Sequence, residues 1–124
     1  MGTSRPRSLL LHDHQFRGHE TGEHPEHPRR YLAVIRELER RQLLTNHPLS
    51  VVQPATNEQM LRVHSAALIQ QLESITRTGG AWINPDTLCG PDSFETARYA
   101  AGAAVCAVDA IVAGTAARAF ALGR

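Results

Sequence analysis

The run from Ala100 to Ala117 constrains this chain more than any other part of it. It is mostly Ala and Gly, is interrupted by Asp109, and is flanked by Arg98 and Arg118. A membrane-spanning helix needs about 20 strongly apolar residues, which this run does not supply. Small side chains let a helix approach its neighbours closely, so the run reads as a packed helix in a soluble core. Ser93 is the expected N-cap, and Glu95 falls in the first turn, where the helix dipole favours an anion. Ala97, Ala101, Ala104, Val108 and Ile111 trace a 4-3-4-3 stripe expected to lie against a sheet or helix.

The rest of the chain alternates strand and helix signals. Ser8 to His12 is a short apolar run that suits a buried strand. Asp13 to His27 breaks every periodicity, and Gly18, Gly22 and Pro25 make it a long loop. Pro28 opens a helix, because a missing N–H is harmless in the first turn. Tyr31, Val34, Ile35 and Leu38 share one face of that helix, with Glu37 and Arg41 paired outside it. Pro48 stops the pattern, and Leu49 to Val52 reads as a second strand. Thr56 and Gln59 have capping-box spacing. After a break near His64 and Ser65, Leu68, Leu72 and Ile75 continue an apolar face that Gly79–Gly80 ends. Ala81 to Pro91 reads as irregular. This order predicts an α/β fold with parallel strands. A parallel sheet is normally covered on both faces and has more than two strands. Two or three strands and a last helix running to Leu122–Gly123–Arg124 therefore predict one partial domain over residues 1–124.

Composition excludes several classes. With 42% apolar and 20% charged residues the chain is of globular type, and its net charge of +1 offers no field for nucleic acid or an anionic membrane. Every one of the 13 basic residues is Arg. Two cysteines, Cys89 and Cys106, make no disulfide framework, which points to a reducing cytoplasm. Cys106, among Ala and Val, reads as an inert core residue, and Cys89 has no base beside it in sequence.

The chemistry-bearing cluster is His12, Asp13, His14, His19, His24 and His27. Imidazole and carboxylate are ordinary zinc ligands, but gaps of two, five, five and three match no helical or knuckle spacing. The residues therefore admit either a loop of hydrogen-bonded histidines or a small metal- or partner-binding module without catalysis. His64, next to Val63, reads as a partly buried helical histidine. Asp86 after Pro85 is either a turn residue or a rim carboxylate, and Arg30 is either a structural ion-pair partner or a functional cation.

The words of this chain also resemble a known family. His12–Asp13, His19–Glu20–Thr21–Gly22 and His24–Pro25–Glu26–His27–Pro28–Arg29–Arg30 resemble the opening of histone deacetylases. The likeness is closest to the bacterial deacetylase-like amidohydrolases and acetylpolyamine amidohydrolases. Pro54–Ala55–Thr56 with Glu58, Leu61, Val63 and His64 is similar to the second block. Pro85–Asp86–Thr87, Gly90–Pro91 and Ser93 are similar to the third, and Ala100–Ala104 with Ala107–Val108–Asp109 to the helix that follows. The four blocks stand in order over roughly Leu10 to Gly114.

The resemblance implies the N-terminal part of an arginase/deacetylase-like parallel-sheet fold. It implies a zinc-dependent hydrolase that removes acetyl groups from acetyl-lysine or acetylated polyamines. The family's zinc ligands, tandem histidines and catalytic tyrosine lie downstream of the Ala/Gly helix, so this segment is expected to bind no catalytic zinc and to be inactive alone. By resemblance Arg30 lies beside the channel through which acetate leaves, a role that suits a permanently charged, bidentate guanidinium. Asp86 corresponds to the rim carboxylate that accepts substrate backbone N–H groups. His19 and His24 belong to the first rim loop, residues 12–28, which in relatives also supports contacts between copies. Residues 81–92 form the second rim loop.

Overall fold

Residues 8–46 and 51–123 are described by a computed structural model. Strand β1 (Ser8–Leu11) pairs in parallel with a strand the sequence did not announce, β4 (Arg118–Ala121), in register from Ser8 opposite Arg118 to Leu11 opposite Ala121. The parallel α/β expectation holds, but with a different partner. Of the expected strand 49–52, Leu49 and Ser50 lie outside the described residues, as does Pro48, and Val51–Val52 are not in a strand. Val52 nonetheless joins the core.

The unannounced strand exists because the Ala-rich helix stops early. Helix α5 (Ser93–Val112) ends in a turn where Gly114 has φ 74°, a left-handed conformation that favours glycine. The Thr115 N–H reaches back to the Ala110 carbonyl at 3.0 Å, and the Gly114 N–H to that of Ile111 at 3.0 Å. These are the cross-bonds of a Schellman end. The chain then reverses to β4.

Helix α1 (Pro28–Arg40) begins at Pro28 as expected, with His27 as its N-cap. A short helix α2 (Leu43–Asn46) follows, then α3 (Asn57–Leu61) and α4 (Ala66–Arg77). Both arms of the Thr56/Gln59 capping box form, at 2.9 and 3.1 Å. Ser65 caps α4 after the predicted break. His64 is exposed in the turn before it, not half-buried on a helix. The irregular stretch expected at 81–91 contains a hairpin of β2 (Ala81–Asn84) and β3 (Thr87–Cys89).

The core forms where α1, α5 and the β1–β4 pair meet. Leu11 and Phe16 are fully enclosed, joined by Tyr31, Val52, Ala103 and Leu122. Phe16 meets Tyr31 edge to face with ring centroids 5.7 Å apart. Enclosing each large apolar side chain contributes about 1.5–3 kcal/mol. The face of α5 that packs here carries Thr96, Ala100, Ala103 and Ala107, not the expected stripe. Ala97 and Ala101 instead border a groove shared with α4, and Val108 and Ile111 are exposed. A helix apolar on several sides gives no unique moment, so periodicity picked the wrong side. Gly102 fixes the approach of residues 53–55, since a Cβ there would stand 1.7 Å from the Gln53 carbonyl oxygen. No helix among the described residues is long and apolar enough to cross a membrane.

Candidate functional site

The first loop folds from its own polar residues. The Asp13 carboxylate accepts the Gln15 N–H at 2.9 Å and starts a 3₁₀ turn over His14–Arg17, which delivers Phe16 to the core. Thr96 on α5 donates its hydroxyl to the Gln15 carbonyl at 3.0 Å. The loop therefore lies along the N-terminal half of α5.

Beyond that turn each histidine takes a different partner. His19 Nδ1 and Ser93 Oγ are 2.7 Å apart. The Ser93 oxygen also accepts the Gly90 N–H at 2.8 Å. Ser93 is thus the first residue of α5 and a bracket between loops rather than the expected N-cap, which is Asp92. His27 Nδ1 accepts the Arg29 N–H at 3.1 Å, so Nε2 carries the proton and donates to Glu20 at 2.7 Å. Glu20 also accepts the Thr21 and Gly22 N–H groups. The Gly22 N–H foremost, with help from His27, holds its carboxyl below the usual value. His12 Nδ1 lies 3.2 Å from the Tyr31 hydroxyl, and its buried Nε2 has no partner among the described residues. Burial pushes the Tyr31 phenol up.

His24 is set in the same way as His27. Its Nδ1 accepts the Glu26 N–H at 3.0 Å, and its Nε2 stands 2.8 Å from Asp86 Oδ1. Asp86 sits at the tip of the β2–β3 hairpin, where its own N–H donates to the Asn84 side chain at 2.9 Å. The two loops therefore share a histidine–carboxylate contact. Asp86 is 89% exposed, whereas His24 is 29% exposed.

Two hollows adjoin here. A small one of about 180 Å³ is lined by His19, Thr21, His24, Glu26, Asp86 and Leu88. A larger one of about 820 Å³ holds Arg30, Tyr31, Val34, Phe120 and Leu122 and shares His19 and Glu26 with the first. The large hollow opens at the carboxyl end of β4, where open α/β sheets characteristically bind ligands. Arg30 is 65% exposed and ion-pairs with Glu26 one helical turn before it. A third hollow, about 290 Å³ between α3, α4 and α5, is walled mainly by Met60, Val63, Leu68, Leu72 and Phe94.

The structure thus brings His19, His24 and Asp86 to one rim and Arg30 to the adjoining wall. It places Cys89 in the buried end of β3, where burial pushes its thiol up and makes it a poor nucleophile. Cys106 packs against the core as expected. The His19–Ser93 contact and the Leu122–Gly123 wall escaped sequence reasoning, because His19 and Ser93 are 74 residues apart and no local signal links them. Among the described residues, no three His, Cys, Asp or Glu side chains come together to hold a metal. These residues therefore do not fit the zinc that the resemblance implies.

Comparison with known proteins identifies the family and the fold. The family model of the histone deacetylase domain matches residues 24–124. A histone deacetylase-like amidohydrolase of Pseudomonas aeruginosa is 41% identical over 71 residues, which are 57% of this chain and 19% of that protein. A probable deacetylase of Methanothermobacter thermautotrophicus is 31% identical over 103 residues, 82% of this chain and 30% of the relative. The crystal structure of the HDA15 HD domain superposes with a TM-score of 0.89 at 22% identity, covering 95% of this chain and 35% of that one, a likeness of fold. The chain thus spans less than a third of the length of these two curated relatives. The chain belongs to the histone deacetylase family.

Proposed function

We propose that residues 1–124 are one part of a deacetylase domain and form the entrance rim and one wall of a site that hydrolyses N-acetyl amides. The substrates are acetyl-lysine or acetylated polyamines. Residues 12–28 and 81–92 are the rim, Asp86 accepts the substrate's backbone N–H groups, and Arg30 holds the departing acetate. The observation that carries this reading is the adjacency of the two hollows. His19 and Glu26 line both, so the rim carboxylate and the wall guanidinium serve one depression. Zinc supplies a Lewis acid and an activated water in such hydrolysis, and in this reading its ligands come from outside the described residues. The rival, a metal- or partner-binding module on the histidine loop, gains no metal site from the geometry, since His19, His24 and His27 turn to Ser93, Asp86 and Glu20.

The test compares the enzyme made from the complete coding sequence with residues 1–124 alone. The complete enzyme should release acetate from an acetyl-lysine peptide or an acetylated polyamine, lose that activity to a chelator and regain it with zinc. The isolated chain should release none, even with zinc added. Turnover by the isolated chain that a hydroxamate abolishes would overturn the division of labour. A zinc-loaded complete enzyme inert toward all these amides would overturn the activity.

A further inference from the structure

We infer that His24 is a positioning residue for Asp86, fixing one carboxylate oxygen so that the other meets the backbone amide of a peptide substrate. The inference rests on the reading of Asp86 given above and asks what makes that carboxylate usable. An aspartate 89% exposed at a hairpin tip would otherwise sample several rotamers, and each encounter with substrate would have to order it. Its backbone is held by the Asn84 side chain, and its carboxylate has one tie among the described residues, Oδ1 to His24 Nε2 at 2.8 Å. Oδ2 has no partner among the described residues and keeps its acceptor capacity.

The donor is itself braced. The Glu26 N–H donates to His24 Nδ1 at 3.0 Å, which leaves the proton of the neutral ring on Nε2, facing Asp86. The Glu26 carbonyl accepts the Thr21 hydroxyl, and the Glu26 carboxylate pairs with Arg30 at the start of α1. The tie therefore runs from the hairpin through the first loop to α1. A peptide presents backbone N–H groups at this rim, whereas an acetylated simple alkylamine has none. His24 should therefore bear on peptide substrates selectively.

The experiment uses the enzyme from the complete coding sequence with two substrates, an acetyl-lysine peptide and an N-acetylated alkylamine. Losing one ordering hydrogen bond should raise KM for the peptide about 5-fold in His24→Ala, with kcat and the alkylamine kinetics unchanged. His24→Gln, which restores an N–H donor at similar reach, should recover most of the loss, and His24→Phe, which keeps the ring without donors, should not. Combining His24→Ala with Asp86→Ala should add nothing to Asp86→Ala alone. Should Asp86→Ala leave peptide KM untouched, the reading of Asp86 itself falls. Should Asp86→Ala raise peptide KM while both His24→Ala and His24→Phe leave it alone, or harm both substrates equally, only the role of His24 falls.

Discussion

Among the described glycines, Gly102 is the one where an added Cβ would meet the tightest contact. Its missing Cβ admits the Gln53 carbonyl, and an added methyl would also meet the Ala55 nitrogen at 2.9 Å. Both obstacles are backbone, which cannot rotate away, so Gly102→Ala should destabilise the protein by about 1–3 kcal/mol or more. Urea unfolding of the complete enzyme measures this as a lowered midpoint at unchanged slope. Cys89 is the opposite case, a residue whose chemistry is suppressed by place. Its thiol is buried and raised in pKa, so a thiol reagent at neutral pH should modify it slowly in the folded protein and promptly in denaturant. Rapid modification of folded protein would contradict the placement. The sequence already suggested an inert Cys106 and showed no base beside Cys89, but not the burial of Cys89, which depends on a hairpin formed with Ala81.

Single elements differ in how plainly the sequence announced them. Helix α1 was legible because Pro28 and the Tyr31–Leu38 spacing are local signals, and the capping box of α3 was legible for the same reason. The hairpin was hidden because β2 is exposed throughout and so shows no inside-outside alternation. β4 was hidden because its four residues follow an Ala-rich helix without a change of composition, and its stability comes from pairing with β1, more than 100 residues earlier. Of the candidate site, the two loops over residues 12–28 and 81–92 could be singled out from motif order. The His24–Asp86 and His19–Ser93 contacts could not, since each joins segments far apart in sequence. Helix α1 also carries a pH-dependent piece of stability. Arg40 foremost, then Arg41, holds the Glu37 carboxyl down at about 2 from an ordinary 4.5. A depressed carboxylate contributes stability that is present above 4.5 and is lost as pH falls from there through about 2. The group is exposed, so salt should weaken the effect. Glu37→Gln should flatten that part of the acid-unfolding curve. An unchanged acid limb would show that the two arginines do not hold the carboxylate in solution.

At the scale of the whole molecule, the two-stranded parallel pair leaves much apolar surface in the open. Val63, Val112 and Phe120 are 80%, 81% and 59% exposed, and Val51, Trp82 and Val108 are exposed too. Parallel strands are ordinarily covered on both faces. Residues 1–124 alone should therefore bind a hydrophobic dye strongly and give a weak near-UV signal. A sharp, cooperative melt from a monodisperse monomer would contradict that. Arg30 also depends on assembly, because it reaches its hollow only through the joint arrangement of α1, the first loop and the end of β4. Its ion pair with Glu26 is exposed and contributes at most about 1 kcal/mol to folding. A charge-assisted contact with departing acetate is worth about 1.5–3 kcal/mol, roughly tenfold or more in rate. The most direct measurement is kcat/KM for an acetyl-lysine peptide with the Arg30→Ala form of the complete enzyme, zinc content determined alongside. A fall of about tenfold or more is expected, with full zinc occupancy and little change in melting temperature. Unaltered specific activity with a lowered melting temperature would show that Arg30 is only a structural ion-pair partner.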